Sequence, residues 1–376
     1  MRILMFYHSL LSCWNHGNAH FLRGVVSELL ARGHEVEVFE PRNGWSLRNL
    51  LDEQGYAALL EFEAAFPELQ STRYAEDTLE LDEVLHDADL VIVHEWNSHS
   101  LVAAIGRHRI QSGNYQLLFH DTHHRTVSAP EQLGALELDG YDGVLAFGSV
   151  IRELYRERGW ANRAWTWHEA ADTRRFYPHT SGDPDKARRD LVWVGNWGGD
   201  ERKAEIDEFL LTPIRELELR ADVYGVRYPD TAREAIRTAG AYFHGWLANH
   251  QVPEVFAWFR CTVHVPRGPY VNALPGIPTI RPFEALACGI PLISAPWSDT
   301  DGLFEVGHDY LLAHDGAEMR RHLRALLHDD SLARELAANG RQRILASHTC
   351  GHRVDELLDI YAELQAPSAR VSGGWA

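Results

Sequence analysis

Cysteine is scarce: Cys13, Cys261, Cys288 and Cys350 are the four in 376 residues, and no two stand at a paired spacing. A disulfide framework and a zinc site are both disfavoured, and free thiols in a reducing cytoplasm are expected. Long apolar runs are missing as well, with nothing near the roughly 20 residues of a membrane span. Met1–Tyr7 carries an arginine but is soon followed by Ser9, Ser12 and Asn15, so it reads as a first strand and not as a signal peptide. Positive charge is short: 36 Lys and Arg stand against 54 Asp and Glu, a formal charge of −18. That balance argues against a nucleic-acid partner and against adhesion to anionic lipid, since both need clustered cations. No Gly-x-Gly-x-x-Gly occurs, which counts against a dinucleotide oxidoreductase. Neither His-Glu-x-x-His nor Cys-x-x-Cys occurs, so no bound metal is expected.

What is present is alternation of strand and helix patterns, which argues for parallel sheets in an α/β protein of about two domains. The first half offers strands at Ile3–Tyr7, Glu35–Phe39, Leu90–His94, Gln116–His120, Gly143–Phe147 and Ala164–Trp167. Helical patterns fall between several of them, as at His20–Ala31, Ser98–Arg109 and Val150–Glu157; Glu61–Phe66 fits helix or strand equally. The second half repeats the theme at Leu191–Gly195, Ala221–Tyr224, Ala241–His244, Thr262–Val265, Pro291–Ala295 and Tyr310–Ala313. Between the halves, a polar run punctuated by Pro178 and Pro184 reads as a linker. Two amphipathic helices, Ser331–Ala346 and Arg353–Leu364, precede a Pro/Ser/Gly tail expected to be loose.

Two facing sheets of this kind leave a cleft at the carboxyl ends of their strands, where ligands bind. The residues just past each strand are therefore the candidates. Gly17 and Asn18 open the helix after the first strand, either as a plain cap or as a close approach to a phosphate or sugar. His94 and Glu95 end one strand, and His120 and Asp121 end the next, among Thr122, His123 and His124. The strand geometry makes these diverge, so a metal set is discounted. His120 and Asp121 are expected to line the cleft, one to hydrogen-bond or stabilise charge and one to orient a hydroxyl, with His94, Glu95 and Asp121 as the candidate bases. Gly195-Asn196-Trp197-Gly198-Gly199 ends a buried strand in a glycine-rich loop, followed by Arg202 and Lys203, which suit a diphosphate or simply a turn and a charged helix start.

The richest segment is Arg281-Pro282-Phe283-Glu284-Ala285-Leu286-Ala287-Cys288-Gly289-Ile290-Pro291. Pro282 suits a first helical turn, Gly289 stops the helix, and a carboxylate beside a helix start can accept from sugar hydroxyls while the free N–H groups take a phosphate. The string resembles the donor-site segment of GT-B glycosyltransferases, Glu-Ala-x-Ala-x-Gly-x-Pro, and most closely the CgeB-like branch, which has an arginine three residues before that glutamate. Asp172 ahead of Phe176-Tyr177-Pro178 is similar to the GT-B interdomain connector.

The resemblance implies two Rossmann-like domains facing across a cleft and a final helix crossing back onto the first. The expected division is 1–170 on the acceptor side, a linker at 171–190, a donor domain at 191–350, the returning helix at 351–366 and a tail at 367–376. It implies transfer of a hexosyl group from a nucleoside diphosphate sugar, UDP favoured and GDP or dTDP open, to a small-molecule or glycan hydroxyl. Retention without a metal or any other cofactor is expected. Arg202 and Arg281 would then neutralise the diphosphate, alongside Gly195 and Lys203. Thr279, Ile280, Pro282 and Phe283 would lie at the donor helix start, and Glu284 would hold the ribose. His244, Gly245 and Trp246 would flank the base. Gly276 departs from the pattern, because retaining relatives carry a first glutamate eight residues before the second. Sugar contacts are then expected from Tyr270 or Asn272. A GT-B-shaped epimerase and a degenerate binding protein are the alternatives.

Overall fold

The computed structural model describes residues 1–111, 113–180 and 188–366. The linker stretch 181–187 and the tail 367–376 lie outside the described residues. Two all-parallel sheets form. The first has the order β3-β2-β1-β4-β5-β6-β7, built from β1 (Arg2–Phe6), β2 (Glu35–Pro41), β3 (Ser71–Tyr74), β4 (Leu90–His94), β5 (Gln116–Asp121), β6 (Gly143–Ala146) and β7 (Ala164–Thr166). The second has the order β10-β9-β8-β11-β12-β13, from β8 (Arg189–Val194), β9 (Ala221–Tyr224), β10 (Tyr242–Gly245), β11 (Phe259–His264), β12 (Leu292–Ser294) and β13 (Leu311–Leu312).

Burial explains why the central strands were readable. Residues 3–6 of β1 and all of β4 are buried, as a strand covered by helices on both faces must be. The strand β3 was not anticipated: Ser-Thr-Arg-Tyr is an edge strand with only Tyr74 buried, so it has no apolar run to announce it. The undecided segment Glu61–Phe66 is helical through Ala65, in a helix spanning Ala57–Ala65 that Phe66 ends. Strand order reverses direction between β1 and β4 in one sheet and between β8 and β11 in the other. Those switch points open a crevice at the strand ends, and the loops after β1 and β8 face each other there.

Three further helices fix the site. Helix α1 (Asn18–Ala31) buries Phe21, Leu22, Val25, Val26 and Leu29 on the first sheet, which leaves its N-terminus at the crevice. Helix α2 (Ile280–Ala287) is nearly all buried and ends at Gly289, whose φ is +62°. Helix α3 (Cys350–Gln365), capped by Thr349, crosses back onto α1. The Trp167 indole, fully buried, donates to the Arg353 carbonyl at 2.8 Å, and the linker residue Ala171 pairs with Thr349.

The crossing depends on Gly24. A Cβ there would lie 2.4 Å from Cys350 Sγ and 2.7 Å from Asp172 Cβ. Gly24→Ala is expected to destabilise the protein by about 2 kcal/mol through overpacking, although alanine is the better helix former. Denaturant unfolding checks this, and unchanged stability would mean that α3 does not sit this close to α1.

Candidate functional site

The crevice holds a cavity of about 880 Å³ walled by both domains. On the first-domain side the loop after β1 is held rigid from beneath. Buried Glu40 accepts from Leu10 N at 2.6 Å and Ser9 Oγ at 3.1 Å, and Arg23 donates to the Leu10 and Leu11 carbonyls, both at 2.8 Å. That loop presents Asn15, His16, Gly17 and Asn18 to the cavity, beside Trp45, Trp96, Thr122 and His123. The His8 ring lies 4.7 Å from Trp45, and Trp96 lies 5.1 Å from His123, so this end is an aromatic chamber.

On the second-domain side the loop after β8 supplies Gly195 to Gly199. Arg202, 8% exposed, ties it down: the guanidinium donates to the carbonyls of Trp197 at 3.1 Å, Val265 at 2.7 Å, and Asn196. Burial lowers the Arg202 pKa to about 10, so it stays charged at neutral pH. Asn196 bridges the cleft to Asn15 and accepts from Val226 N at 3.0 Å. Arg227, Arg267 and Arg281 complete a set of four arginines on the cavity wall, with Trp246, Tyr270, Thr279 and Ile280 among the remaining lining residues. Thr279, the N-cap of α2, has φ +62° and ψ −176°. That region is essentially reserved for glycine, so a β-branched residue there is strained, as backbone at ligand sites often is.

Gly17, Asn18, Gly195, Asn196, Arg202, Trp246, Tyr270, Thr279, Ile280 and Arg281 all reach the cavity. Several expected residues do not. His120 and Asp121 are fully buried beneath the wall, because β5 runs one residue further than expected and the chain turns outward only at Thr122 and His123. His120 Nδ1 lies 2.6 Å from the Tyr7 hydroxyl, and burial lowers its pKa to about 3. Asp121 accepts from Tyr155 at 2.9 Å; burial, then neighbouring Glu95, pushes its pKa well up. His94 and Glu95 are sealed in the same layer, His94 2.9 Å from Thr122 Oγ1 and Glu95 gripped by both Arg125 Nε and Nη2. These four form an internal polar network, and none is placed as a base for a cleft substrate.

The second domain brings further corrections. Lys203 is exposed and turned from the cavity, since Arg202 takes the inward helical position. His244 and Gly245 also lie off the wall, because His244 stacks outside on Tyr224 with ring centroids 4.5 Å apart. Asn272 is exposed on the far side of its short helix. Pro282 and Phe283 point into the core, Phe283 against Phe304 and His348. Glu284 sits in the second turn of α2 and is 0% exposed. Arg281 grips one oxygen; Asn249 donates to the other at 2.7 Å, with His20 Nδ1 at 3.2 Å. Burial opposes its ionisation, but Arg281, His20 and Asn249 together hold its pKa below the usual value.

Gly276 explains its own departure from the family pattern. At φ +89° its Cβ would come within 2.6 Å of Asp301 Oδ1. Asp301 is itself an interdomain tie, accepting from Ser149 N at 2.9 Å and lying 2.7 Å from His168 Nε2. Asp299 and Asp301 are thus loop carboxylates with structural partners, and no group of three potential metal-ligating side chains exists among the described residues. No described helix is long and apolar enough to cross a membrane.

Sequence reasoning missed Arg227, Arg267 and Glu169. Arg227 follows the end of β9 and was legible by the strand-end rule; Glu169, at the end of the first domain beside the linker, was given no role. Residues 202–359 match the family model for glycosyl transferase-like proteins. No curated protein matches the chain. A sucrose-phosphate synthase from Thermosynechococcus elongatus is similar in structure at 16% identity and TM-score 0.65, covering 97% of this chain and 99% of that one. HepE of Anabaena, solved with UDP and glucose, superposes at 14% identity and TM-score 0.65, over 96% and 100%. An α-glucosyltransferase solved with UDP and DNA gives 13% identity and TM-score 0.65, over 96% and 99%. The chain therefore has the GT-B fold of two Rossmann-like domains, and its C-terminal half is similar to glycosyl transferase-like proteins.

Proposed function

We propose that the protein transfers a hexosyl group from a nucleoside diphosphate sugar, UDP favoured, to an uncharged hydroxyl acceptor in the cytoplasm, with retention and without a metal. The observation that carries this reading is the charge of the cavity. In a chain of net charge −18, four arginines and the start of α2 line one crevice; Arg267 is paired with Glu201 and Arg281 with Glu284, and the net positive charge that remains favours a polyanion about the size of a nucleoside diphosphate. The solved neighbours that hold UDP or UDP-glucose support the choice of uridine.

In the reaction the bond from the anomeric carbon to the diphosphate oxygen breaks and its electron pair leaves with the diphosphate. Arg281, the free N–H groups at the start of α2 and Arg202 meet that growing charge. The acceptor hydroxyl attacks from the same face, and its proton passes to a diphosphate oxygen. This course requires no protein base, which agrees with the burial of His94, Glu95, His120 and Asp121. The acceptor would lie in the chamber of Trp45, Trp96 and His123, where flat, uncharged faces suit a sugar ring or aglycone and not a DNA backbone.

Titration calorimetry with UDP, GDP and dTDP, followed by product analysis with the corresponding sugars, tests the reading; failure of all three nucleotides to bind would overturn it. Arg281→Ala is expected to lower kcat by about 10²-fold while raising KM far less, since the charge it meets grows in the transition state. Steady-state kinetics decides, and an unchanged kcat would move the diphosphate away from α2.

A further inference from the structure

Glu169 is the single carboxyl side chain among the described residues lining the cavity. An acid on the wall of a cavity that also carries four arginines would repel an anionic ligand if it were ionised, so its presence there points to a contact other than with the phosphates. The fold nevertheless presents it rigidly. Two residues before it, Trp167 N donates to the Ala146 carbonyl at 2.7 Å; two residues after it, Ala171 N donates to the His348 carbonyl at 2.9 Å. Its neighbour His168 is tied to Asp301 across the domains at 2.7 Å, and Trp167, Ala170 and Ala171 are fully buried. Glu169 itself is 6% exposed. The backbone that carries Glu169 is therefore held on both sides.

Its position is central. Glu169 shares the cavity wall with Gly17 and Asn18 at the start of α1 and with Ile280 and Arg281 at the start of α2. The Asn18 amide is buried there with no partner in the protein, so polar groups of both helix starts are free for a ligand. Tyr270, from the loop that precedes α2, lines the same cavity. The diphosphate would occupy the start of α2, so a group between α1 and α2 meets the atoms just beyond the phosphates. Those atoms belong to the sugar being transferred. No other acid competes for the place, since Gly276 is wedged on Asp301 and Glu284 is sealed behind Arg281. We propose, on the functional reading above, that Glu169 is the residue that hydrogen-bonds a hydroxyl of the transferred sugar, and so selects a sugar nucleotide over the bare nucleotide.

The electrostatics make the contact compatible with a diphosphate. Burial, then the nearby Glu284 carboxylate, raises the Glu169 pKa to about 8, against the opposing effects of Asn18 and Arg281. The group is protonated and neutral at pH 7. It can therefore donate to a sugar hydroxyl without repelling the diphosphate, and it loses that proton as pH rises through about 8.

Calorimetry with UDP and with UDP-glucose separates the possibilities. Glu169→Ala should weaken UDP-glucose by about 10-fold or more, the worth of a buried hydrogen bond, and leave UDP within about 2-fold. Glu169→Gln keeps a neutral donor of the same shape, so it should retain most of the UDP-glucose affinity at pH 7. It should also abolish the weakening that the wild type shows above pH 8. Equal losses for UDP and UDP-glucose, or no loss for either, would overturn the proposal, as would a glutamine variant as weak as the alanine one. The glutamine variant also decides the matter should the alanine variant fail to fold. A wild type that binds UDP but shows no Glu169 effect overturns this inference alone; one that binds neither UDP nor UDP-glucose overturns the functional reading with it.

Discussion

Arg202→Ala is expected to lose stability and turnover together, by about 3 kcal/mol and about 10²-fold. The guanidinium is 8% exposed and donates to three main-chain carbonyls, those of Asn196, Trp197 and Val265. Its removal leaves these oxygens buried without that donor, at about 1–3 kcal/mol each before relaxation. The glycine-rich loop would then lose the brace that aims its N–H groups into the cavity. Arg202 also carries one of the four cavity charges, so a transition-state contribution is lost with it. Lysine cannot span three carbonyls set in a fork, so Arg202→Lys should recover little of either quantity. Chemical unfolding and steady-state kinetics measured on the same samples check this. If turnover falls while unfolding is unchanged, Arg202 acts on the diphosphate alone and the bracing role is wrong. If stability falls and kcat survives, the loop does not hold the donor.

That coupling was not legible in the sequence, and the reason is physical. The arginine and glycine types near Gly195 announce an anion site, but they do not tell which nitrogen is spent on the protein's own carbonyls. The same limit appears on the first domain. His120 and Asp121 follow a well-marked strand, yet β5 extends by one residue and buries both; the pleat moves the exposed position to Thr122 and His123. Strand-end reasoning therefore finds the right loop with an uncertainty of a residue or two, which decides between a ligand contact and a core contact. The fold was more readable because it rests on long patterns: buried runs such as Leu90–Val93 and the stop at Gly289 leave little choice. Among the strands only the polar edge strand Ser71–Tyr74 escaped, since its pairing comes from β2 and not from its own apolar content. Glu169 escaped for the opposite reason. A short run of His, Glu, Ala and Asp at the edge of the linker carries no motif, and only the packing of Trp167 and Ala171 turns it into a fixed wall.

The second large effect concerns Glu284, where the structure changes the expected outcome. A carboxylate that held ribose from the cleft wall would affect nucleotide affinity and little else. Glu284 is instead enclosed, with Arg281, His20 and Asn249 around its two oxygens, and its side chain is 0% exposed. Glu284→Ala removes one partner of a buried ion pair and leaves the others unmatched, so a loss of about 3 kcal/mol is expected. Glu284→Gln should cost less, because the amide oxygen can still accept from Asn249. The pH dependence carries a definite sign. Burial raises the Glu284 pKa, but Arg281, His20 and Asn249 outweigh it, so the folded-state value lies below the usual 4.5. The charged form is favoured by folding, and its stabilisation is present above pH 4.5 and lost as pH falls through the folded value. The stability gap between wild type and Glu284→Gln should thus be widest near neutrality and close in acid. Activity should fall in the glutamine variant as well, because Arg281 loses the anchor that points it along the start of α2, and kcat should suffer more than UDP affinity. Unfolding curves at pH 7 and pH 4, with UDP calorimetry on each variant, resolve the matter. A variant that loses UDP affinity with no change in stability would return Glu284 to the ribose and require α2 to rotate its carboxylate into the cleft when donor binds.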